Sequence, residues 1–223
     1  MLKLYGFPVS NYANMVQLAL MEKGIAYEYV LTFPTQTPEF LAKSPRGKVP
    51  CLETPHGFLN EASVILEYLE DCGAGKALLP SDPYAKARAR ALMKEIELYI
   101  ELPARSCFME VFFGGKVPDA IKAQARENLT AGFAALKRHA SFSPYVAGDQ
   151  FTSADIVFLF TVELGAAVGA RLFGLDLLGD MPGAKALLAK LGENPNVKKI
   201  VAARDEGMAG FIAGVKARLA AGG

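Results

Sequence analysis

The chain has 223 residues, of which 52% are hydrophobic and 21% are charged, so it can bury a substantial core and is not a disordered tail. Lysine and arginine together number 24, against 23 aspartates and glutamates, and the two signs are spread evenly along the chain. This balance excludes a strongly basic surface that would attract nucleic acid or an anionic membrane.

The first eighty residues combine strand and helix patterns. Alternating β-forming residues predict strands, and apolar residues recurring every three to four positions predict helices. The predicted elements are a strand at 2–7, a helix at 14–24, a strand at 27–33, a short helix at 38–43, a β-hairpin from KVPCLE and GFLNE, and a helix from ASVILEYLEDCG. We expect the last helix to turn Val64, Ile65, Leu66 and Leu69 inward. The order predicts a four-stranded mixed sheet with helices on its faces.

A turn-rich segment, LLPSDPYAKARAR, leads into a second half in which only helices are predicted. These helices cover residues 84–113, 118–140, 153–170, 183–192 and 195–219. Thr152 and Asp155 have the spacing of a capping box, so we assign them to stability and leave them out of any site. The apolar stretch 154–170 is interrupted by Asp155 and Glu163, and we expect a buried helix there, not a membrane span.

Cysteine and histidine usage limits the chemistry that is available. Cys51, Cys72 and Cys107 are odd in number and lack C-x-x-C spacing, so we expect no disulfide framework and a reducing cytosol. With His56 and His139 as the only histidines, a zinc site of the His/Cys type would have too few ligands. The start MLKLYGF has the pattern of a strand, so we expect no signal peptide.

The stretch RGKVPCLE begins a strand with a proline. Proline has no N–H to donate to a sheet ladder, and within sheets it occurs at edges, strand starts and bulges. Pro50 is therefore either a trans residue that opens an edge strand or a break that leaves backbone groups accessible to a ligand. The residues alone leave both interpretations open.

Four stretches resemble the cytosolic glutathione transferases: LYGFPVSNYANMVQLAL, PEFLAKSPRGKVPCLE, GFLNEASVILEYLED and YVAGDQFTSADIVF. The resemblance covers nearly the whole chain. It implies an α+β thioredoxin-like N-terminal domain at 1–79, a linker at 80–85 and an all-α C-terminal domain at 86–223. It also implies a cytoplasmic detoxification enzyme that takes glutathione as co-substrate, uses no metal and forms a homodimer, with Phe58 and Tyr84 as candidate interface anchors.

The same resemblance resolves the interpretation of Pro50. It implies a cis Val49–Pro50 peptide, whose Val49 N–H and C=O would pair with the cysteinyl backbone of glutathione in a one-residue β-augmentation. Lys48 would meet the glycyl carboxylate, with Lys43 and Arg46 as reserves. Taken alone, each of these three cations is an ordinary surface charge.

The motif NEASVI would hold the γ-glutamyl end. Glu61 would accept from the ammonium group, and the backbone amides of Ala62 and Ser63 would hold the carboxylate at a helix N-terminus. Ala62 stands where the family usually has serine, so either Ser63 compensates, the amides suffice, or glutathione binds weakly. From the residues alone, capping by Asn60 explains the motif equally well.

Glutathione chemistry needs a thiolate, and a free thiol has a pKa near 8.5. Ser10 follows the first strand at the entrance to the first helix, where serine-type relatives carry the hydroxyl that stabilises the sulfur. Position alone favours an N-cap, a role compatible with catalysis. Tyr5, Asn11 and Tyr12 also remain candidates for stabilising the thiolate. The loop holds no cysteine, which argues against relatives that form a mixed disulfide there.

The resemblance places the electrophile pocket between the Ser10 loop and the stretch YIELPARSCFMEVFF. Its candidates are Tyr12, Arg105, Ser106 and Met109, of which Arg105 and Ser106 would either recognise a polar co-substrate or face water. The expected reaction transfers glutathione to a small alkyl or aryl electrophile, with isomerisation or dehalogenation as variants. The alternative is a non-catalytic glutathione-binding or protein-interaction module, and the lack of C-x-x-C disfavours a thiol–disulfide reductase.

Overall fold

The first part of the chain folds around one mixed sheet of four strands, in a computed structural model that describes residues 1–221. Its elements are β1 (Leu2–Gly6), α1 (Asn11–Lys23), β2 (Tyr27–Leu31), α2 (Pro38–Leu41), β3 (Cys51–Thr54), β4 (Gly57–Asn60) and α3 (Ala62–Asp71). The strands lie in the order β2-β1-β3-β4, with β1 parallel to β2 and β3 antiparallel to both of its neighbours. The predicted mixed sheet is confirmed.

Alternate strand residues pack on opposite faces of this sheet, as the pleat requires. Leu4 of β1 and Leu52 of β3 lie opposite each other and are fully buried. Tyr5 and Cys51 form the next pair in the register, and they pack with Phe40 of α2 in a separate cluster. Both faces of the sheet are therefore covered.

One predicted core residue of α3 lies on the outside. Ala62, Ile65, Leu66 and Leu69 recur at the spacing of a single helix face, and all four are buried. Val64 lies off this stripe and is 51% exposed, so the prediction that it points inward is wrong. The physical reason is geometric, because a helix presents only one stripe of positions to its core.

From Pro80 onward the described residues form helices and no strand, which confirms the predicted all-α second half. The elements are α4 (Pro83–Ile96), a π-helical segment (Glu97–Glu101), α5 (Leu102–Arg105), α6 (Phe108–Phe113), α7 (Asp119–His139), α8 (Ser153–Phe173), α9 (Pro182–Gly192) and α10 (Pro195–Ala220).

The predicted single helix over residues 84–113 is wrong, because the chain divides it into α4, the π-helical segment, α5 and α6. Pro103 has no N–H, so it cannot donate to the Tyr99 carbonyl four residues earlier. The helix widens just before this proline and is interrupted again at Ser106 and Cys107. The apolar periodicity carried no trace of either break.

Helix α8 begins with the predicted capping box, which is confirmed. Thr152 Oγ1 accepts from the Ala154 N–H at 3.2 Å, and Asp155 Oδ2 accepts from the Thr152 N–H at 2.7 Å. By length and composition alone α8 could cross a membrane, although half of its most apolar stretch is buried inside the protein. The core helices of soluble proteins can have the same length and composition.

The chain forms two compact units, and each unit consists of two separate stretches of the sequence. They comprise Met1–Leu79 with Asn194–Gly207, and Pro80–Glu193 with the residues from Met208 onward. The start of α10 thus belongs to the first unit, where the side-chain amides of Asn194 and Asn196 both donate to Glu22 Oε1 at 2.8 Å. The sequence pattern does not predict that residues 194–207 belong to the first unit.

Candidate functional site

Ser10 lies at the junction between β1 and α1. A Cβ on Gly6 would meet the Ala13 Cβ at 2.7 Å, so the glycine lets α1 pack closely on the strand. Ser10 is the N-cap of α1, and its Oγ accepts a hydrogen bond from the Ala13 N–H at 3.3 Å. The first turn of α1 contains no acidic side chain, so nothing there neutralises the positive end of the helix dipole.

The Ser10 hydroxyl can donate a hydrogen bond to a ligand while its oxygen accepts the capping bond. The oxygen accepts the capping bond, but within residues 1–221 the O–H donates to no protein atom. Ser10 is 9% exposed, so most of its surface is covered. The hydroxyl can therefore serve as an N-cap and as a donor to an anion at the same time.

A polar residue that the sequence analysis missed supports this loop. Asn14 is 1% exposed, and its Nδ2 donates to the Pro8 carbonyl at 2.9 Å. Its Oδ1 is buried without a hydrogen bond in the part of the chain that the structure describes. An amide one turn after Ser10, directly before the apolar residues Met15 and Val16, is the signal that points to it.

Tyr5 is another candidate to donate a hydrogen bond to the thiolate. Its hydroxyl already donates one hydrogen bond and accepts another. It donates to Glu53 Oε2 at 2.5 Å and accepts from Lys43 Nζ at 3.0 Å. These bonds lower the pKa of Glu53 and raise the pKa of Lys43. Asn11 and Tyr12, whose side chains could also donate to a thiolate, lie half-buried in the first turn of α1.

The Val49–Pro50 peptide is cis, as the family resemblance implies. Among the described residues, neither the N–H nor the C=O of Val49 makes a hydrogen bond, and the residue is half-buried. Strand β3 starts directly afterwards, where Cys51 is paired with Tyr5 and Asn60. Val49 therefore presents unpaired backbone groups just beyond the end of a strand.

The loop before Val49 is closed tightly at Gly47. This residue has φ 60, and a Cβ on it would lie 2.1 Å from the Thr35 carbonyl oxygen. The Thr35 N–H also donates to the Gly47 carbonyl at 3.1 Å. Arg46 and Lys48 on either side are exposed, so their charges face solvent next to this closed turn.

Glu61 starts α3 with an unusual backbone. It has φ 67 and ψ 117, is exposed, and makes no capping hydrogen bond with its side chain. The first turn of α3 holds no acidic residue, so its N–H groups create a region of positive potential. Ala62 is buried and Ser63 is half-buried behind it. This helix start can hold a carboxylate, with the Glu61 carboxylate alongside to accept from an ammonium group.

The second-substrate candidates of the helical half have partners of their own. Arg105 forms an ion pair with Glu101, whose side chain is fully buried. Ser106 Oγ donates to the Pro103 carbonyl at 2.6 Å, and Met109 is half-buried in α6. Glu101 was not among the predicted site residues, although an acidic residue four positions before an arginine on a helix indicates such a pair.

Two family models match the chain. The one described as "Glutathione S-transferase, N-terminal domain" matches residues 4–76. The one described as "Glutathione S-transferase, C-terminal domain" matches residues 119–190. The first match contains Ser10 and both segments that carry the candidate glutathione contacts, 48–50 and 61–63.

A glutathione S-transferase of Pseudomonas putida is 57% identical over 212 residues, covering 95% of this chain and 96% of the relative. A solved maleylacetoacetate isomerase from Methylobacterium extorquens AM1, with bound malonate and GSH, has a TM-score of 0.70 and 31% identity and covers 91% of this chain and 97% of its own. A holo maleyl pyruvate isomerase, a bacterial zeta-class glutathione S-transferase, has a TM-score of 0.70 and 30% identity, with coverages of 89% and 95%.

Proposed function

Because the chain belongs to the glutathione S-transferase family, we propose that it is a serine-type enzyme in which Ser10 stabilises the thiolate of glutathione for attack on a small hydrophobic electrophile. The observation that carries this proposal is the Ser10 hydroxyl. Its oxygen caps α1, and its hydrogen has no acceptor among residues 1–221. The cysteinyl sulfur of bound glutathione would accept it.

The magnitudes are consistent with this role. Lowering the pKa of a thiol by about two requires about 2.7 kcal/mol of preferential interaction with the thiolate. A hydrogen bond to a charged group contributes about 1.5–3 kcal/mol. The N-terminus of α1 adds about 0.3–1 kcal/mol, because its first turn carries no opposing acidic residue. Together the two effects reach the required size.

Two segments of the first unit, 48–50 and 61–63, would hold the two ends of glutathione. Val49 would pair with the cysteinyl backbone through its N–H and C=O, and Lys48 would meet the glycyl carboxylate. Glu61 would accept from the γ-glutamyl ammonium, and the amides of Ala62 and Ser63 would hold its carboxylate. The unpaired backbone of Val49 and the uncapped start of α3 support this arrangement.

For the electrophile, we favour an apolar molecule. Among the candidates of the helical half, Met109 is apolar, whereas Arg105 and Ser106 would first have to leave Glu101 and the Pro103 carbonyl. A second candidate reaction is glutathione-dependent isomerisation, which the likeness to two solved maleyl isomerases favours. Turnover of maleylpyruvate or maleylacetoacetate, with no conjugation of a chromogenic aryl halide, would select the isomerase.

A homodimer and a cytoplasmic detoxification role complete the proposal. Phe58, Val64 and Tyr84 are large apolar side chains that remain exposed, Tyr84 at 74%. Such residues are typical of interface anchors. The three cysteines are free, as in a reducing compartment.

Sedimentation equilibrium should give twice the chain mass, and Tyr84→Ser should shift the protein towards the monomer.

The Ser10→Ala variant tests the catalytic assignment. Loss of one hydrogen bond to the thiolate should raise the pKa of bound glutathione by about one to two and reduce kcat at pH 7 by about 10- to 100-fold. The pKa is measured from the ultraviolet absorbance of the thiolate in the complex, and kcat with a chromogenic aryl halide.

Tyr12→Phe is the matched control, since it removes a hydroxyl two positions further along the same helix. It should leave both the pKa and kcat within about twofold of the wild type. If Tyr12→Phe raised the pKa of the bound thiol and Ser10→Ala did not, the assignment to Ser10 would be wrong.

A further inference from the structure

Two side chains that make hydrogen bonds to the backbone lie between the segments proposed to hold opposite ends of glutathione. Ser44 is 1% exposed and lies in the loop between α2 and β3, four residues before Lys48. Asn60 is the last residue of β4 and directly precedes Glu61. Neither belongs to the ligand contacts proposed above, yet each is joined to them by the backbone.

The Ser44 hydroxyl holds both backbone groups of one residue. Its Oγ donates to the Lys48 carbonyl at 2.8 Å and accepts from the Lys48 N–H at 3.1 Å. A single side chain thus sets the orientation of the peptide that leads into Val49. Alanine at this position would leave the Lys48 backbone without either bond.

Asn60 connects β4 to the same loop from the other side. Its Nδ2 donates to the Lys43 carbonyl at 3.1 Å, and the Cys51 thiol donates to that carbonyl at 3.6 Å. Burial raises the pKa of Cys51 to about 11, so the sulfur keeps the proton that it donates. Because Lys43 directly precedes Ser44, the two sets of hydrogen bonds are continuous.

The Asn60 side chain is retained although it costs folding free energy, which indicates a role other than stability. Its Oδ1 is buried and makes no hydrogen bond within the described residues, which destabilises the fold. The adjacent Glu61 has a positive φ, a second unfavourable feature at the same edge. Buried unsatisfied groups and strained backbone are retained where a site needs a defined geometry.

We propose that Ser44 and Asn60 are positioning residues for glutathione, which link Glu61 to Lys48 through the Lys43 carbonyl and so hold the two ends of the site at a set separation before the tripeptide binds. This inference rests on the proposed function, because it requires Glu61 and Lys48 to bind opposite ends of the ligand. A loop that is ordered in advance loses less freedom on binding. Since neither residue touches the sulfur, the effect falls on affinity and not on the chemical step.

The test compares Ser44→Ala and Asn60→Ala with the wild-type chain. The Kd for glutathione, measured by titration calorimetry, and the KM should each rise about tenfold, with kcat and the pKa of the bound thiol unchanged within about twofold. Ser44→Thr retains the hydroxyl and should restore the affinity. Ser44→Ala should weaken the binding of γ-glutamylcysteine much less than the binding of glutathione, because that dipeptide lacks the glycyl carboxylate that Lys48 would hold.

Thr152→Ala is the control for a purely structural effect, since it removes a buried hydroxyl that caps α8 in the other unit. It should lower the melting temperature and leave the Kd unchanged. If Ser44→Ala and Asn60→Ala behaved in the same way, the inference would be overturned. A fall in kcat with an unchanged Kd would overturn it as well.

Lys48→Ala and Glu61→Gln separate this inference from the function on which it rests. If both weaken glutathione binding while Ser44→Ala and Asn60→Ala do not, the positioning role alone is wrong. If the wild type does not bind glutathione, or if Lys48→Ala and Glu61→Gln bind it normally, the proposed site is wrong and the inference fails with it.

Discussion

At the scale of single residues, Glu61 combines backbone strain with a position at a helix start. Its φ of 67 and ψ of 117 are sparsely populated for a residue with a Cβ, and such a conformation costs about 1–3 kcal/mol. Its carboxylate makes no capping bond that would offset this cost. Stability alone would favour glycine here, so a glutamate at this position supports the proposed role in binding an ammonium group.

We therefore expect Glu61→Gly to raise the free energy of unfolding by about 1 kcal/mol, since relief of strain exceeds the added entropy of the unfolded glycine. The same variant should bind glutathione at least about tenfold more weakly. Urea unfolding and titration calorimetry measure the two effects.

Glu61→Gln is the control, because it keeps the Cβ and the strain but removes the charge. Its stability should equal that of the wild type, and its affinity should fall. A Glu61→Gly protein less stable than both would show that the backbone there is not strained.

At the scale of elements, the π-helical segment Glu97–Glu101 is approached closely by two helices at glycines. A Cβ on Gly132 of α7 would lie 2.3 Å from the Tyr99 carbonyl oxygen. A Cβ on Gly165 of α8 would lie 2.6 Å from Ile100 Cγ2. The first contact is with a backbone carbonyl, whereas the second is with a methyl group of Ile100, a buried β-branched side chain that is restricted at χ1.

This difference predicts an order of stabilities. Gly132→Ala should lower the free energy of unfolding by about 2 kcal/mol, as expected for overpacking that the backbone cannot relieve. Gly165→Ala should also lower it, but by about 1 kcal/mol, because a side chain yields more readily than backbone. Both are measured by urea unfolding.

Gly192→Ala in α9 supplies the matched control, because nothing lies within 4 Å of a Cβ built there. It should be neutral or slightly stabilising. Equal stabilities of Gly132→Ala and Gly192→Ala would contradict the close approach of α7 to the π-helical segment.

At the scale of the whole molecule, two carboxyl groups respond to pH in opposite directions. Burial alone would raise the pKa of Glu70, but hydrogen bonds from the Leu78 and Leu79 N–H groups and from Lys23 lower it overall. Burial of Asp155 outweighs its hydrogen bonds and raises its pKa from 3.8 to about 6. Glu70 lies in the first unit and Asp155 in the second.

The signs follow from the shift of each pKa on folding. Glu70 contributes stability above its ordinary pKa of 4.5, and this contribution is lost as the pH falls through its lower folded value. Asp155 contributes stability at pH values below its ordinary pKa of 3.8, and this contribution is lost as the pH rises through about 6. Between pH 4 and 7 the wild type should therefore lose on the order of 3 kcal/mol relative to Asp155→Asn.

Glu70→Gln should show the opposite trend against the wild type, with a difference that grows as the pH rises from about 3 to about 5. Free energies of unfolding in urea, measured from about pH 3 to about pH 7 for the wild type, Glu70→Gln and Asp155→Asn, give the difference of each variant from the wild type. Parallel curves for wild type and Asp155→Asn would mean that Asp155 does not change its pKa on folding.

The sequence by itself determined the order of strands and helices, the capping box of α8 and the place of Ser10 at the start of α1. These features depend on residues within a few positions of one another, such as apolar periodicity, a hydroxyl before a helix and a glycine after it. The likeness of four motifs to a known family added the cis Val49–Pro50 peptide and the candidate glutathione contacts.

Only the tertiary structure decided that Val64 faces outward and that the helix over residues 84–113 is broken. It also decided that α10 begins within the first unit, that Ser44 meets the Lys48 backbone, and that Asn60 meets the Lys43 carbonyl. The outward side of α3, the break at Pro103 and the Ser44–Lys48 bonds have local causes that apolar periodicity did not reveal. The place of α10 and the Asn60–Lys43 hydrogen bond depend on contacts between segments far apart in the chain. Local patterns carry no information about such contacts, because which groups meet is set by how the elements pack.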